Sequence, residues 1–545
     1  MHFIRPISIR STGPRWKRGL PLVMMLAAIG TLAVAGCEDP PSTAPITSAS
    51  PPQRYMSGGG STVGSSSAFG INVSTFKTGL GPLPRPWLSD EQMTDQLNAV
   101  VDAGAGWIRI PIYWSESGNN GPDAFDVTSN GTDRLIWAAR ARGLSIYAVI
   151  EGTPSWNDNV RFAGPVKPEN YVWWELFVSR LVARYDTTVV QYWSIMNEAN
   201  CPALPGSTTG WSGTQPEYDE LFARAAAIIP SGHIALADPI FGNPCTDPVT
   251  WLNEKFSGVV TSRAINVPIV SVHSYGDSAQ DIIRDVNRAI NVSAGRPVWL
   301  TEFNTPSSDR WPEDSIRNRI QTRLMGGVLN GMRTTNGWEK SFPYRLWADD
   351  SDALVAVLEP TWNGATYPRK DQWHMLRLFA NYGTSTEPSY LIPTYRWWRQ
   401  WDGMVGTNPS EGYALGYMLQ SANDWSGSRH AFLGWRPLFR CVVSDPATNN
   451  GHYIGTRHTC DERAVGGNRY PRNGTVDESY GHASPFNWPD VGLVRLYRFM
   501  NDGLTDYVQT TSASEAATLR SVQNRNNGWR EVDTLGYVWP TGFVP

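Results

Sequence analysis

Charged residues are scarce in this chain, at 18% of 545 residues, and neither sign dominates, with 46 Lys and Arg against 50 Asp and Glu. That balance lacks the basic excess that nucleic-acid binding through phosphates requires, and a 41% hydrophobic content excludes disorder throughout. Cysteine is equally sparse: the five present form no CxxC pair, and no HExxH or His/Cys cluster occurs. No metal and no cofactor is therefore expected. The first apolar strand is followed by Asn72-Val73-Ser74 instead of a Gly-rich phosphate turn, which argues against a doubly wound nucleotide-binding sheet. What is abundant is tryptophan, with 25 residues. Either some of these rings serve as flat binding surfaces, or they build a large aromatic core.

The N-terminal 36 residues carry five basic side chains (Arg5, Arg10, Arg15, Lys17 and Arg18) and no acidic one, then an apolar run from Leu20 to Ala35. The run is short of the roughly 20 residues of a membrane span and suits a signal-peptide core. It closes on Val34-Ala35-Gly36-Cys37, which resembles the bacterial lipobox and implies lipidation of Cys37. The expected location is the bacterial cell envelope, with the lipid held on the periplasmic face or at the cell surface. Loss of residues 1–36 leaves 41 basic residues against 50 acidic ones, a formal charge of −9. Adhesion to nucleic acid by charge is then excluded, and the membrane is met through the lipid. Four cysteines remain, an even number that fits export. Pairing within each proposed domain gives Cys201 with Cys245 and Cys441 with Cys460.

Residues 37–67 are rich in Pro, Ser, Thr and Gly and read as a flexible linker. Over 68–385, apolar runs alternate with amphipathic stretches. Strands are expected at 69–73, 107–113, 144–150, 189–196, 233–238, 268–275, 297–302 and 344–348. Eight strands each followed by a helix are the count of an α/β fold of the (β/α)8 TIM-barrel type. Residues 386–545 have short strands, many turns and one expected helix at 514–523. Pro437-Leu438-Phe439-Arg440 with His452-Tyr453-Ile454 matches Arg495-Leu496-Tyr497-Arg498 with Asp506-Tyr507-Val508. This suggests a small β-rich domain of degenerate repeats. It resembles a repeat module at the C-termini of bacterial surface and secreted proteins, a likeness that assigns no function.

In a parallel barrel, chemistry sits at the C-terminal ends of the strands. The polar residues there are Asn72, Arg109, Glu151, Asn197, Glu198, Asp238, His273, Tyr275, Glu302 and Trp347. Glu198 and Glu302 close strands three apart in a ring of eight, so their side chains can converge over the barrel axis. Paired carboxylates are what glycosidic cleavage uses. Trp107-Ile108-Arg109, Trp193 to Glu198, His273-Ser274-Tyr275 and Trp299 to Asn304, in that order and on those strands, resemble the clan GH-A retaining glycoside hydrolases, with families 5 and 39 nearest. The resemblance implies Glu198 as general acid/base and Glu302 as nucleophile, with a β-linked oligo- or polysaccharide as substrate. It also implies that Asn197 bonds the sugar 2-hydroxyl, that Arg109 favours ionised Glu302, and that Tyr275 donates to it. His273 would line the pocket, and Trp347 would floor it by stacking.

Trp114 and Trp156, just beyond strand ends, either stack on sugar or pack the barrel rim. Glu151 and Asp238 either touch substrate or cap turns, and the second Asn-Glu pair, Asn253-Glu254, reads as surface. Two other readings remain open: a non-catalytic carbohydrate-binding surface lipoprotein, and a transglycosylase that uses the same site.

Overall fold

A seven-residue strand with strict alternation shows how the barrel is framed. In Trp107-Ile-Arg-Ile-Pro-Ile-Tyr113 the isoleucines face the surrounding helices, and the residues between them face the barrel axis. A computed structural model describes residues 65–543, except 74–87, 306–313, 348–355, 381–390, 407–417, 444–450, 456–479 and interior stretches of one to six residues. The expected signal segment at 1–36, Cys37, the expected linker up to residue 64 and Cys460, and with it the expected Cys441–Cys460 pair, lie outside the described residues. Among the described residues no helix is long and apolar enough to cross a membrane.

The fold is a (β/α)8 barrel with a β-rich C-terminal region. The first five strands, β1 (Gly70–Asn72), β2 (Trp107–Tyr113), β3 (Ser145–Glu151), β4 (Tyr192–Ile195) and β5 (Ile234–Ala235), form one parallel sheet in sequence order. A second parallel sheet holds β6 (Ile240–Phe241), β7 (Val270–Tyr275), β8 (Val298–Asn304) and β9 (Trp338–Pro343). β5 lies within the expected fifth strand at 233–238, and β6 follows just beyond it. The first pairs with β4, the chain steps across Asp238-Pro239, and the second pairs with β7. A bridge between Phe69 and Ser341 closes the ring. Its interior is filled by Trp107, Tyr147, Val149, Tyr192, Ala235, Ile269, Trp299 and Phe342.

The eighth strand is a correction to the sequence reading, lying at 338–343 and not at 344–348. Glu339 and Lys340 break the apolar pattern there. The Lys340 ammonium is buried beneath Trp107 and Trp299, 5.1 and 5.2 Å from their ring centres, and donates to the Ser67 carbonyl. A helix at Pro248–Lys255, α6 in chain order, joins the helices expected from periodicity and leaves Asn253 and Glu254 exposed.

Two helices of the ring's last quarter, α8 (Asp314–Thr334) and α9 (Asp371–Ala380), carry the C-terminal region. Phe432, Trp435, Trp488, Val491, Trp539 and Phe543 belong to the same buried cluster as the barrel, so the region shares its core. Gly326 makes this approach possible, because a Cβ there would meet Val491 at 2.7 Å. Asn330 and Arg323 on α8 donate to the Asp490 carbonyl and carboxylate. The two matching stretches of sequence both form antiparallel hairpins, Phe439–Val443 with Gly451–Gly455 and Val494–Asn501 with Asp506–Thr510. The expected helix is present as Ala513–Arg520 and Val522–Asn526.

His374 of α9 stacks on His430 of the β-rich region with ring centres 3.6 Å apart, and His430 meets Asp371 at 3.1 Å. Burial first, and then the facing imidazole, push His374 down to about 3. The unfolded chain takes up that proton near pH 6.5, so the stability associated with neutral His374 is complete above about 6.5 and is lost as pH falls towards 3. The loss reaches at most about 1.4 kcal/mol per pH unit in that window. Thermal unfolding between pH 7.5 and 5 should show this slope in the wild type and a shallower one in His374→Gln; equal slopes would refute it.

Candidate functional site

Arg109 organises the mouth of the barrel. It points inward from β2 and is 6% exposed. Its Nη1 donates to Glu302 Oε1 at 2.6 Å and to Asn72 Oδ1 at 3.0 Å. Its Nη2 donates to Asn197 Oδ1 at 2.6 Å and to Asp238 Oδ2 at 2.7 Å, and Nε also reaches Asp238 Oδ2 at 3.2 Å. Burial alone would weaken its hold on the proton, but Asp238 and Glu302 outweigh that, and the guanidinium stays charged. Asp238 is fully buried, and its other oxygen accepts from Tyr147 Oη at 2.7 Å and Thr301 Oγ1 at 3.0 Å. Burial works against its ionisation, yet Arg109 and then His273 keep it below the usual carboxylate range. Asp238 is thus neither a turn cap nor a substrate contact. It anchors Arg109 from below.

Glu302 owes its direction to a bulge. Leu300 pairs with Val272 and Glu302 with His273, which leaves Thr301 as the extra residue on β8. Thr301 and Glu302 both turn inward as a result, one onto Asp238 and the other into the cleft. Glu302 Oε2 accepts from Tyr275 Oη at 2.6 Å. Burial, followed by the Glu302 charge, raises Tyr275 well above an ordinary phenol, so it remains a donor. Glu198 follows β4 through a left-handed turn, with φ of 61° at Met196 and 55° at Glu198 itself. Backbone of that kind persists only where the surroundings enforce it. Here Asn200 exchanges hydrogen bonds with Ile240 and Thr246, and a disulfide joins Cys201 to Cys245. The loops that follow strands four and five are thereby clamped beside Glu198. His273 Nδ1 lies 2.8 Å from Glu198 Oε1 and 3.5 Å from Glu302 Oε2.

One ligand atom from each of Glu198, His273 and Glu302 lies within 4.8 Å of the others, a spacing that a divalent ion could bridge. Arg109 and Tyr275 already engage both oxygens of Glu302, however, and the arrangement is that of two opposed carboxyl groups at the C-terminal end of the barrel strands.

Residues 64–336 match the family model "Cellulase (glycosyl hydrolase family 5)", half of the chain. The chain belongs to glycosyl hydrolase family 5. It is accordingly an O-glycosyl hydrolase. No curated protein matches this family-5 sequence. Solved structures similar to it include an endo-β-1,3-glucanase of family 128 (subgroup I) from Amycolatopsis mediterranei, with 14% identity, 57% of this chain and 98% of that chain covered, and a TM-score of 0.34. A β-glucosidase from Pyrococcus furiosus is similar at 12% identity, with 59% and 96% covered and a TM-score of 0.41. A family-39 β-xylosidase from Caulobacter crescentus is similar at 15% identity, with 70% and 84% covered and a TM-score of 0.41.

The family-5 barrel brings Glu198, Glu302, Arg109, Asn197, His273 and Tyr275 together, and it leaves the tryptophans out. Trp114 is fully buried among Trp156, Trp174 and Phe177, which corrects its reading as a sugar platform. Trp156 is half-buried, edge-on to Trp114, and its Nε1 donates to the Gly118 carbonyl, so it too packs the rim. Trp347 lies four residues past the end of β9, buried against Tyr367 with Nε1 donating to the Pro360 carbonyl. The aromatic residue immediately beyond the eighth strand is Tyr344, whose ring meets Tyr275 edge-on at 6.0 Å. Sequence reasoning missed Tyr344 because it placed the strand too late. With Trp107, Trp174, Trp193, Trp251 and Trp299 also fully buried, the barrel's tryptophan serves largely as core.

Proposed function

We propose that the protein hydrolyses a β-linked glycan with retention of configuration. The separation of the two carboxyl groups carries this reading. One oxygen of Glu198 and one of Glu302 lie within 4.8 Å of each other, with His273 Nδ1 reaching both, and so close an approach supports the roughly 5 to 5.5 Å spacing of retaining enzymes over the roughly 6.5 to 9.5 Å that leaves room for water in inverting ones. Glu302, held by Arg109 and Tyr275, attacks the anomeric carbon. Glu198 gives its proton to the departing glycosidic oxygen, so one C–O bond breaks as the ester to Glu302 forms. Glu198 then takes a proton from water, whose oxygen attacks the same carbon and releases Glu302. Asn197, with Oδ1 committed to Arg109, has its amide N–H groups left for the sugar 2-hydroxyl.

The test is to follow hydrolysis of aryl β-glycosides, β-glucan, xylan and mannan by NMR. Retention predicts that the first-formed product is the β-anomer, which then mutarotates. First formation of the α-anomer would overturn the mechanism.

A further inference from the structure

A third carboxyl group at the mouth has no role in that mechanism. On β3, Tyr147 and Val149 face the barrel interior while Ile146, Ala148 and Ile150 face the helices, so Glu151 at the strand's end points inward over the axis. It sits opposite Tyr113 of β2 in register. It is 8% exposed, yet among the described residues no side chain hydrogen-bonds its carboxyl group. Its neighbours differ in this respect: Asp238, Glu302 and Glu198 all have partners. A carboxyl group buried at the edge of a cleft without a partner calls for one from outside the protein.

The charges that reach it are Arg109 from β2, Glu198 after β4, Asp238 after β5 and Glu302 on β8. Burial raises Glu151, Arg109 opposes this, the three carboxylates add to it, and the group stands at about 8. Near neutral pH it is therefore a carboxylic acid that can both donate and accept.

We propose that Glu151 is a third carboxyl group that touches the substrate, holding one hydroxyl of the sugar seated between Glu198 and Glu302. The inference rests on the catalytic reading of that pair. It implies that this subsite selects a neutral sugar with a free hydroxyl at one defined ring position. When Glu151 ionises, the bond to that hydroxyl loses its donor.

The experiment takes the aryl β-glycoside turned over best and its monodeoxy analogues, and compares wild type with Glu151→Ala and Glu151→Gln. Glu151→Ala should lower kcat/KM for the full substrate by about 10- to 100-fold, the range for leaving a substrate hydroxyl unpaired. For the one analogue that lacks the partner hydroxyl the same substitution should cost less than about threefold. Glu151→Gln, which can still donate, should recover part of the loss. It should also hold its activity through pH 8, where wild type declines. An equal loss on every analogue would overturn the proposal, because a structural role does not single out a hydroxyl. Should wild type turn over no glycoside, the catalytic reading fails by itself, and calorimetric binding of cellotriose, laminaritriose, xylotriose and mannotriose decides about Glu151. Equal affinities of wild type and Glu151→Ala, or no binding by either, would refute it.

Discussion

Glu302→Ala is expected to lose at least about 10⁴-fold in kcat/KM, more than 5 kcal/mol of transition-state stabilisation, because no other group on that face can form the bond to the anomeric carbon. Arg109 and Tyr275 would remain, aimed at the space vacated by the carboxylate. Azide fits such a space. It should restore turnover and yield a glycosyl azide of inverted configuration, since it attacks from the side that Glu302 used. Glu198→Ala should behave differently. Its loss should be severe for sugar leaving groups, which need a proton, and slight in the first step for dinitrophenolate, which does not. Azide should then give the product of retained configuration. Should Glu302→Ala keep more than about 1% of activity without azide, the nucleophile is another residue.

The parts of this site that were legible in the sequence are those in which one strand carries both the pattern and the chemistry. Trp107 to Tyr113 alternates cleanly, so Arg109 could be placed inside the ring, and the run from Trp193 into Asn197-Glu198 ends where a strand should end. The bulge at Thr301 was not legible, because it depends on how β8 pairs with β7 and leaves no local mark. β9 was hidden for a related reason. Lys340 is a charged residue inside the barrel floor, tolerated because two indole faces and the Ser67 carbonyl receive it, and these partners come from distant segments. That misplacement carried Trp347 into the site and left Tyr344 out. Asp238 offered two local readings, contact or cap. Its actual role is set by Arg109, Tyr147 and Thr301, which converge on it from three other strands.

Asp238 also permits a strong prediction about a residue that never meets substrate. Asp238→Ala would leave the buried Arg109 guanidinium with Glu302 as its remaining charged partner and would take the carboxylate acceptor from Tyr147 and Thr301, leaving them the longer contacts to Ser271 Oγ and the Val272 carbonyl. Removing one member of such a buried pair costs about 3 to 5 kcal/mol of stability, which should be measurable as a lower denaturant midpoint. Activity should fall as well, because Arg109 fixes Glu302 through Nη1 and Asn197 through Nη2, and both lose their reference point if the guanidinium shifts towards Glu302. We expect kcat to drop by on the order of 10²-fold, as when a supporting contact displaces catalytic groups by about 1 Å, with KM changed far less. Asp238→Asn separates the two effects. It retains an oxygen for Arg109 but not the charge, so it should recover more kcat than stability. If Asp238→Ala unfolds at the wild-type midpoint, the anchoring role assigned to Asp238 is wrong. If it is less stable but turns over at the wild-type rate, the carboxylate supports the barrel without positioning its chemistry.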